Sequence, residues 1–381
     1  MSGIEIRPVQ SSGDLGEFIA LPNAIHATDP AYVAPLNLER RQALSPKANP
    51  LLQKIEHRLW IARRGGRPVG RISAQADPRL GSIGQFGLLA AEDDQAVVHA
   101  LFRTAERWLE QRGKTEVQGP FNLSINEETG LLIDGFDTPP MLLMPHDKPY
   151  LGPRVEAEGY AKAMDLYAYL HDTEVPFPKS IERLLSRPKP PEVVIRHMDW
   201  SRYDEELKTL VDIFNDAWSE NWGFLPFGQD ELEHMAKSMK PLLDDRLLWF
   251  VEVNGRAAAF GLSLPNLNEM IRDLNGSLLP FGWAKLVWRL KRRTYRSGRI
   301  PLMGVRKEFH RNVLGQMLPL YIFEKFREEG RARNVRHVEM SWVLETNKPM
   351  RHIGEALGGG SAYKTYRVYS KQLAPASAAA S

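Results

Sequence analysis

Two stretches of the chain alternate apolar and polar residues in the same way, and both predict a β-hairpin. Residues 57–73 and residues 245–263 each contain an apolar strand with a tryptophan, a turn with Gly-Arg and a second apolar strand. Each hairpin precedes an amphipathic helix and a further strand, which fall at about 94–112 and 116–119 in the first half and at about 314–329 and 337–344 in the second. This repeated order predicts a duplicated α/β unit.

Proline clusters predict where the two units separate. Five prolines fall between residues 176 and 191, around a short basic piece at 179–187 with a helical pattern. Proline blocks both helix continuation and central-strand pairing, so this stretch predicts a linker. The predicted division is an N-terminal unit at 1–172, the linker at 173–192, a C-terminal unit at 193–373 and a frayed Ala/Ser-rich tail at 374–381. The first 50 residues, also rich in proline, are predicted to be loop-rich.

The amino-acid composition excludes several kinds of chemistry for this chain. The 381 residues include no cysteine, which excludes disulfides, cysteine-bound zinc and thiol nucleophiles. A net charge of +3 is too balanced to predict a nucleic-acid partner. Neither a signal peptide nor an apolar run of membrane-spanning length occurs, so we expect a cytoplasmic protein, with peripheral contact to the inner membrane as an option. Without a His-Glu-x-x-His or Gly-x-Ser-x-Gly motif, we predict neither a metal site nor serine catalysis.

The segment after the second hairpin carries the candidate chemistry. A short apolar run leads through the basic turn KEFHRN into the second amphipathic helix. The unpaired N–H groups and the positive dipole end of such a helix attract phosphate. In the strand at 337–344 and just beyond it, alternation places Glu339, Ser341 and Glu345 on one face. The chain then reaches Asn347 and a short helix that ends at Gly-Gly.

This order of elements resembles the GNAT (Gcn5-related) acyl-CoA transferase superfamily. In that superfamily an Arg-x-x-Gly-x-Gly/Ala turn cradles the coenzyme A pyrophosphate, and a later strand runs into an asparagine. Here RNVLGQ at 311–316 takes the place of the turn, with Leu314 where the first glycine falls, and Asn347 takes the place of the asparagine. The resemblance implies that acyl-CoA is bound by Val305, Arg306, Arg311, Asn312, Leu314, Gly315, Gln316 and Asn347. For Asn347, a plain helix cap is the alternative.

The resemblance also implies the fold, an α/β architecture with mixed sheets in two tandem GNAT-like units. Residues 147–169 resemble the closing segment of a first unit, but the stretch GQFGLLAAEDD before its helix is acidic and lacks the Arg/Gly turn. We therefore predict a degenerate N-terminal unit that does not bind coenzyme A. More narrowly, the segments NDAWSENWGF, LPNLNE, PFGW and EMSWVLETN…YKTYRVY resemble a bacterial group of double-GNAT proteins that includes acyl-CoA-dependent ceramide synthases.

The strand at 337–344 and one difference from the superfamily, at Gly354, indicate the candidate catalytic residues. Glu345 and Glu339 are candidates for the base that deprotonates an amine, with salt-bridged strand carboxylates as the alternative. The tyrosine that many GNAT enzymes use as general acid falls at Gly354, so Tyr366 or Tyr363 is the candidate replacement.

The segment in which GNAT enzymes place the acceptor-binding loop contains two tryptophans and two asparagines within eight residues. These candidate substrate-binding residues are Asn215, Trp218, Asn221 and Trp222. Such side chains are costly to bury without partners, which favours a ligand wall over the alternative of a packed interhelical turn.

A basic amphipathic stretch at 281–299 predicts membrane contact. It contains seven basic residues and no acidic one, and a helix there would align Trp283, Leu286, Val287 and Leu290 in one apolar stripe. A basic helix with tryptophan beside its apolar face is typical of helices that lie on anionic membranes. A core-packed helix with a solvated arginine face is the alternative.

We therefore expect an acyltransferase that uses acyl-CoA as co-substrate and holds no permanent cofactor. By the narrower resemblance, its reaction is the transfer of a long-chain fatty acyl group to the amine of a sphingoid base. Two alternatives stay open, namely acetylation of a small soluble amine and non-catalytic binding of acyl-CoA. The second is favoured by Leu314 and Gly354, where the superfamily has other residues.

Overall fold

The chain folds into two compact units. The computed structural model describes residues 3–226 and 245–373, together with positions 228, 231 and 233, and the tail predicted at 374–381 lies outside the described residues. Within the described part, unit 1 comprises residues 3–166, 271–286 and 364–373. Unit 2 comprises the described residues between 167 and 270 together with Val287–Tyr363.

Unit 1 is built on a mixed β-sheet. Its strands are β1 (Ile4–Pro8), β2 (Glu56–Arg64), β3 (Arg67–Ala76), β4 (Ile83–Ala91), β5 (Glu116–Gly119), β6 (Leu131–Asp134) and β13 (Lys364–Gln372). The sheet order is β1-β2-β3-β4-β5-β13, with β6 also paired to β13. The pair β4 and β5 is parallel and the other pairs are antiparallel. Its helices are α1 (Ser12–Ile25), α2 (Asn37–Ala43), α3 (Gln95–Glu110) and α4 (Leu151–Glu156).

Unit 2 has a sheet of the same kind. Its strands are β7 (Ala161–Asp172, of which the part from Tyr167 belongs here), β8 (Val193–His197), β9 (Leu248–Val253), β10 (Arg256–Pro265), β11 (Ser297–Val305) and β12 (His337–Leu344). The order is β7-β12-β11-β10-β9-β8, and β11 and β12 are parallel. The helices from this part of the chain are α5 (Lys179–Leu185), α6 (Tyr203–Trp218), α7 (Leu267–Ile271), α8 (Gly282–Arg292), α9 (Val313–Ala332) and α10 (Lys348–Leu357).

Both predicted hairpins are present and close in the same way. The loops Gly65-Gly66 and Asn254-Gly255 each contain two residues, and all four have φ between 52° and 81°. Positive φ at both central positions defines the type I′ turn, whose twist matches that of paired strands. The shared turn supports the predicted equivalence of the two hairpins, and the duplication itself stays a prediction.

The predicted amphipathic helices bury their apolar faces. In α3 the fully buried residues recur at the spacing of one helix face, and they are Val97, Val98, Leu101, Phe102, Ala105 and Leu109. In α9 the buried face includes Leu318, Ile322 and Phe326. Both helices therefore cover the sheet of their own unit, which leaves the helix N-termini at the ends of the preceding strands.

The two halves of the chain exchange their last strands. The C-terminal strand β13 belongs to unit 1, where Tyr369 pairs with Gly119 of β5. In unit 2, β7 from the first half neighbours β12, and the N–H of Tyr363 donates to the carbonyl of Ala168 at 3.0 Å. Residues 271–286 also belong to unit 1. The compact units therefore differ from the contiguous division 1–172 and 193–373, and the predicted linker at 173–192 is part of unit 2 and contains α5.

The structure adds detail to one local prediction and corrects another. The first 50 residues, predicted to be loop-rich, also contain β1, α1 and α2, and a capping box between Ser11 and Asp14 starts α1. The basic helix predicted over 281–299 ends at Arg292, and β11 begins at Ser297. Arg299 therefore lies in a strand. Among the described residues, no helix is both long enough and apolar enough to cross a membrane.

Candidate active site

A gap between two parallel strands forms the base of the candidate site in unit 2. The β11–β12 ladder starts at Ser297 and His337 and, within the described residues, ends at Ile300 and Met340. Both strands continue beyond it, β11 to Val305 and β12 to Leu344. Because strand edges carry backbone N–H and C=O groups, such a gap offers hydrogen bonds to an extended, amide-containing ligand.

Trp342 bends β12 at this gap. Its φ is +59°, a value that costs free energy for a residue with a Cβ and that disturbs the alternation of the strand. The Arg299 guanidinium lies over its ring, 3.9 Å from the centroid, and Nε1 of Trp342 is buried without a hydrogen bond. A strained backbone held by packing at a strand gap is typical of functional sites.

A buried ion pair lies beside the gap. Arg299 and Glu339 are opposite each other in the ladder, both side chains are fully buried, and Arg299 Nε lies 3.4 Å from Glu339 Oε1. Arg299 Nε also donates to Ser341 Oγ at 2.6 Å. The half-buried Tyr363 donates its hydroxyl hydrogen to Glu339 Oε2. Glu339 is therefore a salt-bridged strand carboxylate, which is the alternative considered for it in the sequence analysis. Its second carboxylate oxygen is bonded to the half-buried Tyr363.

The other residues predicted to be catalytic lie elsewhere. Glu345 is half-buried, one residue beyond the end of β12, and its backbone carbonyl accepts from Arg351 Nη1 at 3.2 Å. The positive φ of Trp342 lies between it and Glu339, so simple alternation does not extend from one carboxylate to the other. Tyr366 is fully buried in β13, a strand of unit 1. Of the two tyrosines considered, Tyr363 is the one in contact with Glu339.

The turn after β11 presents a helix N-terminus. Asn312 caps α9, and its Oδ1 accepts from the N–H of Gly315 at 2.7 Å. A Cβ on Gly315 would lie 1.8 Å from the carbonyl oxygen of Phe309, so only glycine fits. Leu314, at the position of the superfamily's first glycine, has an ordinary helical backbone. The first-turn N–H groups other than that of Gly315 have no partner within a helix and are available to an anion.

The cations of this turn have different surroundings. Arg306 is buried and donates to the Ala257 carbonyl at 2.8 Å and to Asp212 at 2.6 Å. Lys307 donates to Glu220 at 2.6 Å. Arg311 is exposed, as are Asn312 and Gln316. Val305 ends β11, and its carbonyl accepts a hydrogen bond from His310. The cation most accessible to a phosphate is therefore Arg311, whereas Arg306 positions the turn.

Asn347 caps α10, since its side chain accepts from the N–H of Met350 at 3.2 Å. This is the alternative role considered for it. A capping side chain at the end of β12 also fixes where the chain turns from strand to helix, and so it positions Glu345, two residues earlier.

The end of α6 contacts the part of β11 beyond the parallel ladder, where β11 is still paired with β10 on its other side. Trp218 Nε1 donates to the carbonyl of Met303 at 3.1 Å, three residues past the end of the parallel ladder. Asn215 is half-buried, and its Oδ1 is buried without a hydrogen bond. Asn221 and Trp222 follow in a half-buried turn. Trp218 thus lies beside the gap, while a role for the four residues in binding an acceptor stays a prediction.

The corresponding gap in unit 1 is filled by the chain itself. The β4–β5 ladder ends at Gln85, and next to it the N–H of Phe121 donates to the carbonyl of Phe86 at 2.8 Å. The N–H of Leu88 donates to Asn122 Oδ1 at 2.7 Å. The strand-edge groups that would meet an extended ligand are therefore already paired.

The helix start in unit 1 is also unlike that of unit 2. Asp94 caps α3, accepting from the N–H of Ala96 at 2.8 Å, and it forms an ion pair with Arg64. Glu92 forms another ion pair with Arg67. A first turn covered by carboxylates repels phosphate, which agrees with the acidic sequence noted at this point.

Unit 1 encloses a separate group of buried charges. Arg40 pairs with Glu128, which also accepts from Asn122 at 2.7 Å. Burial raises the pKa of Asp147 to about 7, although its carboxylate accepts from the N–H of Leu132 at 2.9 Å. These contacts join α2 to the segments on either side of β6, so the charges have a structural role.

Sequence reasoning missed Arg299. It was counted at the end of the basic stretch 281–299 and at the start of the apolar run that follows, with no role of its own, yet its side chain is among the largest fully buried ones. A signal was available in the sequence. Arg299 and Glu339 occupy the same position near the start of two successive apolar strands, and residues at the same position pair across a parallel ladder.

The comparisons with known proteins are consistent with this geometry. The chain is 53% identical over 376 residues to a protein named bacterial ceramide synthase from Caulobacter vibrioides (strain NA1000 / CB15N), and the match covers 97% of this chain and 98% of that protein. It is 42% identical over 374 residues to protein YghO from Escherichia coli (strain K12), covering 97% and 95% of the two chains. No family model matches the chain.

Solved structures share the fold. A tandem GNAT protein from the clavulanic acid biosynthesis pathway superposes with a TM-score of 0.59 at 15% identity, covering 98% of this chain and all of that one. A GCN5-related N-acetyltransferase from Sphaerobacter thermophilus gives a TM-score of 0.55 at 14% identity, covering 98% and 96% of the two chains. At these identities the likeness concerns the fold, and it confirms the predicted tandem GNAT architecture.

The buried pair yields a prediction on stability. Glu339→Gln leaves Arg299 charged and buried without its anionic partner, and breaking a buried pair in this way costs about 3–5 kcal/mol. We expect the free energy of unfolding, measured by urea denaturation, to fall by an amount in this range. Glu345→Gln is the matched control, because that half-buried side chain lies outside the pair and its loss should cost about 1 kcal/mol or less. Equal losses in the two variants would contradict a special role for the pair.

Proposed function

Because this chain belongs to the bacterial ceramide synthase family of GNAT-fold acyltransferases, we propose that it transfers a long-chain fatty acyl group from coenzyme A to the amine of a sphingoid base. The observation that carries the site assignment is the β11–β12 gap next to the α9 N-terminus, both in unit 2. Unit 1, whose gap is filled by residues 121–122, shapes the protein without binding the thioester.

In this proposal the gap and the helix start hold the two ends of the donor. The amide-containing arm of acyl-CoA lies between β11 and β12 beyond the end of their ladder and bonds to backbone groups there. Its pyrophosphate meets the first-turn N–H groups of α9 and the exposed Arg311. Leu314 is compatible with this role, because the contacts come from the main chain and its backbone is helical.

The reaction is a direct transfer. The amine nitrogen attacks the thioester carbonyl carbon, the C–S bond breaks, and the coenzyme A thiolate leaves with a proton. Strand-edge N–H groups at the gap stabilise the oxyanion of the tetrahedral intermediate. Glu345 is the candidate base that takes one proton from the incoming ammonium. Tyr363 donates a proton to the thiolate, with Glu339 holding its hydroxyl in place. The second proton, which the nitrogen loses as the amide forms, passes to solvent, and solvent reprotonates Tyr363.

The exposed surface of α8 supports a lipid acceptor. The helix has no buried residue, and Trp283 and Trp288 are 55% and 56% exposed. Phe281, just before it, is 78% exposed. Aromatic side chains left in solvent beside Lys291 and Arg292 suit the interface of an anionic membrane, where a lipid amine would be found.

The reaction itself is tested with the purified full chain, two donors and two acceptors. We expect thiol release and an N-acyl product, identified by mass spectrometry, with palmitoyl-CoA and sphinganine. Acetyl-CoA with a small soluble amine should give much less product. The reverse preference would favour the small-amine alternative, and acyl-CoA binding without thiol release would favour a non-catalytic binding protein.

The phosphate contact is tested by Arg311→Ala. A charge-assisted hydrogen bond to phosphate contributes about 1.5–3 kcal/mol, so the KM for acyl-CoA should rise about tenfold or more while kcat changes little. The control is Arg331→Ala, which removes an exposed arginine at the opposite end of the same helix. If both variants keep the wild-type KM, the pyrophosphate is bound elsewhere.

Membrane contact is tested by liposome co-sedimentation. Each basic residue near an anionic surface contributes about 1 kcal/mol, and salt screens this attraction. Wild-type protein should pellet with anionic liposomes at low salt, and Lys291→Gln with Arg292→Gln should weaken that binding several-fold. Lys47→Gln with Arg58→Gln removes two exposed cations elsewhere and should have no effect. Wild-type protein that stays in the supernatant would contradict the proposal.

A further inference from the structure

Unit 1 brings together three side chains that are far apart in sequence. His26 is the C-cap residue of α1, Asp29 follows it by one turn, and His146 comes from the segment before α4. One ligand atom from each lies within 4.8 Å of the other two. His26 and His146 are buried, and Asp29 is nearly so, with a side chain 13% exposed. The cluster is separate from the β11–β12 gap, which belongs to unit 2.

The distances suit a tetrahedral metal ion. His26 Nδ1 lies 3.4 Å and His146 Nε2 lies 3.2 Å from the same atom, Asp29 Oδ2. Zinc binds imidazole nitrogen and carboxylate oxygen at about 2.0–2.2 Å, and in a tetrahedron the neighbouring ligand atoms are then about 3.3–3.5 Å apart. The two separations from Asp29 Oδ2 match these edges, and the two imidazole nitrogens lie within 4.8 Å of each other.

The ligand groups are held in place by their neighbours. The His26 ring stacks on Tyr32 with a centroid distance of 4.4 Å and an interplanar angle of 10°. Tyr32 is fixed in turn, because its hydroxyl donates to Asn23 Oδ1 at 2.8 Å. Asp29 Oδ1 accepts from the N–H of Ala31 at 3.0 Å, which leaves Oδ2 directed at the two imidazoles. Outer contacts of this kind orient metal ligands in proteins.

The hydrogen bonding of His146 leaves one nitrogen for an ion. Its Nδ1 is buried and makes no hydrogen bond, so its polar contact is at Nε2. With the proton on Nε2, the ring donates to Asp29 Oδ2, and a shift of that proton to Nδ1 frees the Nε2 lone pair for a cation. Lys148 Nζ, 3.2 Å from Asp29 Oδ2, supplies a positive charge in the structure described.

From this geometry we propose that His26, Asp29 and His146 bind one zinc ion. Two imidazoles and a carboxylate are ligands that zinc accepts, and the fourth position is left to water. On binding, the ion takes the place of the Lys148 ammonium at Asp29 Oδ2. The ion ties the end of α1 to the segment before α4, and so it stabilises unit 1 without taking part in acyl transfer.

Metal analysis of the full chain tests the proposal. Protein stripped with chelator and then equilibrated with ZnCl2 should retain one zinc per chain after gel filtration, with a raised Tm. His146→Ala and Asp29→Asn should lower the zinc affinity at least about tenfold and abolish the rise in Tm. Lys148→Met should bind zinc more tightly than wild type, because it removes the competing ammonium. His99→Ala, in an exposed histidine of α3, is the control and should behave as wild type.

A second readout does not depend on the variants folding. Cobalt(II) added to the stripped wild-type chain should give the intense visible absorption of a tetrahedral ion, which zinc then displaces. Absence of that absorption, or no retained zinc in wild type, would overturn the proposal and leave the cluster as hydrogen bonds around Asp29. Retention of zinc that His99→Ala abolishes and His146→Ala does not would overturn it as well, because the ion would then be bound elsewhere.

Discussion

The buried pair of Arg299 and Glu339 is the constraint on which the candidate site depends. The two residues are opposite each other one step before the parallel ladder ends, and both side chains are fully buried. Sliding β12 along β11 would separate two charges inside the protein, which costs several kcal/mol. The pair therefore fixes the register of the strands, and with it the point at which their edges become free. The guanidinium also lies over Trp342, whose positive φ bends β12 at that point.

The two units show how one fold can provide a binding site in one copy and not in the other. Each unit has two parallel strands that are connected in the chain by a helix, and the helix begins shortly after the first of the two strands. In unit 1 the backbone and side chain of residues 121–122 bond to β4, and carboxylates cover the start of α3. Among the described residues of unit 2, no such segment bonds across the gap, and the helix start carries Arg311. A few residues of connecting chain, and not the strands themselves, account for the difference.

The sequence was most informative where local pattern decides the structure. The bounds of β5 and β12 were predicted to the residue, since each strand is short and flanked by charged or turn-forming residues. The strand exchange could not be predicted, because the alternation in β13 shows which side chains are buried and says nothing of the partner strand. The prediction for the first 50 residues did not include α1 because proline was treated as a helix breaker, whereas Pro22 lies inside that helix. The cluster of His26, Asp29 and His146 joins positions more than a hundred residues apart, which no motif spacing covers.

The two candidate tyrosines show how much could have been predicted from the alternation of side chains along a strand. Tyr363 and Tyr366 are three residues apart, and in a strand such residues point to opposite faces, so at most one of them could face Glu339. The contact is made by Tyr363, one residue before β13 begins. Glu339 is itself enclosed, with Arg299 on one carboxylate oxygen and Tyr363 on the other. Among the described residues, the half-buried hydroxyl of Tyr363 is therefore the group that would connect Glu339 to a substrate in the proposed site, whereas Glu345, beyond the end of β12, does not depend on that contact. In the proposed reaction this separates the residue that returns a proton to the thiolate from the residue that takes one from the amine.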